Sequence, residues 1–167
     1  MAAETLTGTR AAATFRNRGG MGMANGVLAG IGGYEIAAVV EDGDIFELFR
    51  IPIDSVALSG EIRADDIDTG TEALDMDVGW NGGTNSLETA DPDGLGNLGV
   101  WSGDAVTDIK PEVTNWYPLG GVLRTAGFHL FLDETMIQIE ANAASNGGHT
   151  GTVMVVLYYI IDPNFTL

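Results

Sequence analysis

The sequence has no cysteine, which removes disulfides and thiolate metal sites and gives no sign of an oxidising compartment. Positive charge is almost as scarce. Lys110 is the single lysine, and with six arginines it stands against 24 acids, for a net charge of −17. An acidic excess of this size disfavours contact with nucleic acid or an anionic membrane through the body of the fold. It also fits salty surroundings, where counterions screen self-repulsion. A leader peptide is not expected, because Glu4 and Arg10 interrupt a start that has no apolar core. Residues 21–40 carry only Glu35 as a charge, with Gly22, Gly26 and Gly30 at the four-residue spacing that packs membrane helices. Asn25 and the many glycines make that stretch a poor spanning helix. No stretch sustains a 3.6-residue period long enough for a substantial helix, which argues against an α/β enzyme fold.

What the chain does have is glycine: 24 copies in 167 residues, about twice the usual ~7% share. Hydrophobic residues make up 45%, enough for one ordinary domain with a buried core. Charge divides the molecule near Gly33. Residues 1–33 hold Arg10, Arg16 and Arg18 against Glu4 alone, and every other acid follows. That first segment is rich in alanine and glycine and keeps no period, so residues 1–33 read as an extended arm, or as a plain terminal tail, and 34–167 as the domain.

The body reads as strands. Residues 34–40 are β-branched and apolar, closed by the Glu41-Asp42-Gly43-Asp44 turn. Residues 45–51 end at Pro52, and 56–63 follow. Residues 72–80 alternate most clearly, with Leu74, Met76, Val78 and Trp80 on one side and Glu72, Asp75 and Asp77 among the wet positions. Residues 81–99 read as a long polar connection, with a helical turn at most around Glu88. Residues 113–117, 127–132 and 135–141 supply further strands. Residues 151–161 form a nearly unbroken apolar final strand, of the kind buried on both faces or placed centrally in a sheet. Short strands separated by turns every 8–12 positions predict an all-β fold, a β-sandwich with the jelly roll as leading variant.

The motifs that suggest chemistry do not hold up. Asp68-Thr69-Gly70 is the tripeptide that presents an aspartic protease carboxylate, but the lead-in Ala64-Asp65-Asp66-Ile67 is a charged turn, not a buried strand. A structural turn is the expected role. Asp91-Pro92-Asp93-Gly94-Leu95-Gly96-Asn97 resembles a calcium loop superficially. With Ser102 where the EF-hand needs its bidentate glutamate, a solvated loop is expected. His129 and His149 form no metal pair, and neither glycine cluster completes a dinucleotide fingerprint. No catalytic residue, metal site or cofactor is expected. Trp101, Trp116 and Tyr117 flank loops, where large aromatics act as core plugs or as contact anchors.

Four passages carry a wider resemblance: Phe49-Arg50-Ile51-Pro52 with Ser55-Val56-Ala57-Leu58; Asp68-Thr69-Gly70-Thr71 with Leu74-Asp75-Met76-Asp77-Val78-Gly79; Ala90-Asp91-Pro92-Asp93; and Gly151-Thr152-Val153 leading to Tyr158-Tyr159-Ile160. In this order, across residues 45–163, they resemble the small virion structural proteins of tailed phages, of the capsid decoration or cement type. The resemblance implies a jelly-roll-like domain, assembled as a homotrimer, that binds the major capsid protein at the capsid surface of the virion after synthesis in the host cytoplasm. On the acidic excess and the glycines of residues 21–40, no nucleic-acid or membrane partner is expected. The arm is longer and richer in glycine than that pattern. With it, Arg10, Phe15, Arg16 and Arg18 are the expected partner-binding residues, joined by Trp101, Trp116 and Tyr117. The alternative reading is a tail component or another carbohydrate-binding β-sandwich module.

Overall fold

A computed structural model describes residues 5–7, 26–65, 67–68, 71, 73–100, 116–147 and 150–165, with the backbone alone for 5–7 and 98–100. These residues hold ten strands: β1 (Thr5–Thr7), β2 (Leu28–Ile36), β3 (Ile45–Ile51), β4 (Ser55–Ala64), β5 (Asp75–Trp80), β6 (Asp91–Val100), β7 (Tyr117–Pro118), β8 (His129–Phe131), β9 (Thr135–Ala143) and β10 (Gly151–Ile161). Among the described residues the one helix is the short α1 (Gly121–Thr125), and none is long and apolar enough to cross a membrane.

The strands form two sheets, β1-β3-β9-β5-β6 and β2-β10-β4, the latter extended on the far side of β4 by β7 and β8. Apart from β1, which runs parallel to β3, the pairs are antiparallel. From β2 onward successive strands cross between the sheets, except β5 to β6 and β7 to β8, so that β9 and β10 are each flanked by earlier strands. That order is the jelly roll, and the all-β sandwich expected from the sequence is the fold observed.

The alternation in β5 places Leu74, Met76, Val78 and Trp80 in the core between the sheets, each at most 2% exposed. Phe46, Leu48, Ile51, Ile62, Phe131, Ile137, Ile139, Val153, Val155 and Leu157 complete the same cluster. Its burial supplies the main driving force, since each large aliphatic side chain contributes about 1.5–3 kcal/mol when removed from water.

Three local expectations are corrected. The strand expected over 34–40 is β2, which starts at Leu28, pairs with β10 down to Tyr159 and ends at Ile36, leaving residues 37–40 outside it. Residues 28–33, read as the end of the arm, therefore lie in the sheet. The polar connection expected over 81–99 contains β6, which pairs with β5 across two irregularities. Leu95 is fully buried there, and a side chain at Gly94 would sit 2.3 Å from the Trp80 ring. Asp77, placed among the wet positions, is 6% exposed, and its Oδ2 accepts a hydrogen bond from Asn142 Nδ2 at 2.6 Å.

Candidate functional site

Inward-turned carboxylates dominate the loops. Asp68 is 3% exposed. Its Oδ2 accepts the Ala73 and Leu74 amides at 2.7 and 3.0 Å, and its Oδ1 accepts those of Asn146 and Gly147 at 3.1 and 2.9 Å. Burial alone would push this carboxyl up, yet the four backbone donors outweigh it and hold the group below the ordinary aspartate value. One carboxylate thus fastens the turn before β5 to the β9–β10 connection. This is the structural role expected for the Asp68 turn, and no second carboxylate is among its hydrogen-bonding partners.

Asp133 does the same at the other end of the sandwich. It accepts hydrogen bonds from the Asn85 and Glu134 amides, the Thr84 hydroxyl and Asn85 Nδ2. Burial opposes its charge, and these donors again leave it below the ordinary range. Glu88 lies beside it, bonded to His129 and to the Leu132 amide. His129 is therefore a packed structural residue, its ring 4.3 Å from Trp80 and 4.7 Å from Phe131. Among the described residues no cluster of three or more histidines and acids is placed to hold a metal ion.

This loop network has an outer side that the sequence reading missed. Ile53, Leu87 and Leu132 are 46, 61 and 52% exposed. The Asp54 amide bonds the Phe131 carbonyl, and the Leu87 amide approaches Asp133, so all three belong to connected loops at one end of the sandwich. The readable signal was an aliphatic residue followed by an acid in each loop: Ile53-Asp54, Leu87-Glu88 and Leu132-Asp133. In two of the three, the acid turns inward and the aliphatic side chain is left facing water.

A second surface feature lies where the far side of β4 is shared. β8 pairs with Ser55–Ala57 and β7 with Glu61 and Ile62. Between them the Leu119 amide bonds the Gly60 carbonyl at 2.8 Å. The gap is a groove of about 370 Å³ lined by Leu58, Ser59, Pro118, Leu119, Leu123 and Arg124. Of the residues singled out as partner contacts, Tyr117 packs against the core and Trp116 beside it is 40% exposed. Arg10, Phe15, Arg16, Arg18 and Trp101 lie outside the described residues, as do Thr69, Gly70 and His149.

No protein-family model matches the chain, and no curated protein matches its sequence. Solved structures do match it. A chain from the capsid of Ralstonia phage GP4 has a TM-score of 0.70 at 18% identity, over 96% of this chain and 100% of that one. A chain from the cyanophage Pam1 capsid asymmetric unit has a TM-score of 0.62 at 17% identity, over 86 and 90%. A chain from the acid-stable capsid of Helicobacter pylori bacteriophage KHP30 has 0.52 at 12% identity, over 82 and 94%. At these identities the likeness is one of fold, and in each case it runs through more than four-fifths of both chains.

Proposed function

We propose that this chain is a structural protein of a tailed-phage particle that decorates and stabilises the capsid shell from outside. The observation that carries the reading is the whole-chain jelly-roll likeness to a chain of the Ralstonia phage GP4 capsid. Charge supports the outer surface over the lumen. A body this acidic would be repelled by packaged DNA, whereas on the outside its charge meets only solvent and protein.

In this reading the N-terminal segment, which holds Arg10, Arg16 and Arg18 against Glu4, is the part suited to an acidic neighbour on the major capsid protein, with Phe15 as apolar anchor. Trp116 adds an exposed aromatic contact. The body assembles as a homotrimer, and added salt favours that assembly by screening the acidic surfaces. No catalytic step is assigned: the best candidate carboxylate, Asp68, has both oxygens committed to backbone amides.

The test is cosedimentation of the full chain with undecorated tailed-phage capsids, with the bound copy number counted. Saturable binding at a fixed ratio to the major capsid protein is expected. Failure to bind capsids, together with retention on a glycan array, would move the chain to the carbohydrate-binding alternative.

A further inference from the structure

Among the described residues β1 is the one strand paired in parallel. It pairs Thr5 with Ile45, Leu6 with Phe46 and Thr7 with Glu47, at the edge of the sheet beside β3. That edge is short for a structural reason. β2 crosses against β3 just beyond it, where a side chain at Gly32 would stand 2.6 Å from the Leu48 carbonyl oxygen. What remains open is a three-residue slot on β3. An unfilled slot would leave backbone donors and acceptors at a sheet edge, which is the usual template for pairing with another chain.

Residues 8–27 separate β1 from β2, and among them are Gly8, Gly19, Gly20, Gly22 and Gly26. A stretch of that length spans at most about 70 Å. A body of this size has a radius of gyration of about 15 Å, so the tether is long enough to reach a neighbouring copy. The contacts β1 makes with β3 are identical whether the strand comes from the same chain or from another. Linkage in one chain favours the internal arrangement only by an effective concentration on the order of millimolar. Copies held side by side match that concentration.

We propose that the Ile45–Glu47 edge of β3 is a strand-acceptor site filled by residues 5–7 of a second copy of this chain, so that neighbouring copies exchange N-terminal strands. Each exchanged strand links two bodies at no loss of local contacts. The proposal concerns this chain alone and does not rest on the capsid reading.

The absence of native cysteine makes the test clean. Register partners across a ladder sit about 4.8 Å apart, inside the ~4.4–6.8 Å Cα window of a disulfide. The full-length variants Thr7→Cys and Glu47→Cys are prepared separately, one of them isotope-labelled, then mixed and oxidised over a concentration series reaching millimolar in added salt. The expected result is a labelled-to-unlabelled crosslink between positions 7 and 47, identified by peptide mass, whose yield rises with concentration. Thr5→Cys with Ile45→Cys gives a second pair at the same edge, should either first variant fold poorly. A 7–47 bond that forms inside the double variant but never across the mixture overturns the exchange. No bond in either arrangement overturns the acceptor site itself.

Discussion

Glu88 and His129 tie two loops together: Glu88 Oε1 lies 3.1 Å from His129 Nε2, while Oε2 of the same carboxylate accepts the Leu132 amide at 2.8 Å. Glu88 is 8% exposed, so its two hydrogen bonds form largely away from bulk water. Replacement by alanine removes both. Glu88→Ala should lower the unfolding free energy by about 1–3 kcal/mol, read as a fall in urea midpoint at unchanged slope. A variant with the wild-type midpoint would show that the bond contributes nothing net.

Asp68 gives a pH-dependent prediction. Its carboxyl is lowered in the folded state despite burial, because four amides bind the charged form. A depressed folded value stabilises above the unfolded value, about 3.9, and that contribution is lost as pH falls through the folded value. Asp68→Asn replaces one accepting oxygen with an amide nitrogen that cannot accept. The variant should be less stable by about 2–4 kcal/mol near neutral pH, with the gap narrowing in acid below about pH 4. Thermal melts across that range check it, and equal melting temperatures at pH 7 would refute it.

Asp91 shows the opposite sign. Burial raises its carboxyl, and the neighbouring Asp93 adds a side-chain hydrogen bond and a like charge that raise it further. A raised folded value favours the fold in acid and costs stability as pH climbs through it. Asp93 is exposed, so Asp93→Asn disturbs little packing. It should gain about 0.5 kcal/mol at neutral pH and nothing near about pH 3, below the raised Asp91 value, where that carboxyl is protonated and the repulsion is gone. Equilibrium unfolding at the two pH values separates these outcomes, and a gain of equal size in acid would count against the explanation.

The N-terminal segment should be separable from the body. Every member of the buried core cluster lies at Ile36 or beyond, so deletion of residues 1–27 should leave a cooperative fold, read by calorimetry. In the capsid cosedimentation assay the truncated body should no longer bind. Arg16→Gln with Arg18→Gln should weaken binding and flatten its salt dependence, whereas Phe15→Ala should weaken it at all salt concentrations. Truncated protein that binds as well as the full chain would remove the segment from the attachment surface.

Strands with strong side-chain signals were legible down to their ends. β3 and β10 have the boundaries read from the sequence, because β-branched and aromatic runs there stop at Pro52 and Asp162. β2 and β6 were cut short or missed for one shared reason. In both, glycines occupy strand positions where another group presses close: Phe49 against Gly30 and Gly32, and the Trp80 ring against Gly94. Such positions carry no β propensity of their own and are set by tertiary pairing. The inward carboxylates were illegible for a related reason. Nothing local separates Asp68, Asp77 or Asp133 from the many surface acids, since, the adjacent Glu134 amide on Asp133 apart, their partners stand 5 to 79 positions away along the chain. The jelly roll itself was legible from strand count and turn spacing.

The placement of β9 and β10 also governs how the molecule is made. Each lies between two other strands of its sheet, with β3 and β5 flanking one and β2 and β4 the other, yet both are synthesised after all the other described strands. Until then the earlier strands lack the neighbours that join them, since β2 and β4 meet only through β10 and β3 and β5 only through β9. Synthesis therefore yields a waiting chain with many open edges, and folding follows as one late, slow, long-range event. In that interval the acidic excess keeps nascent chains apart. A chain stopped before β10 would leave β2 and β4 without the strand that joins them.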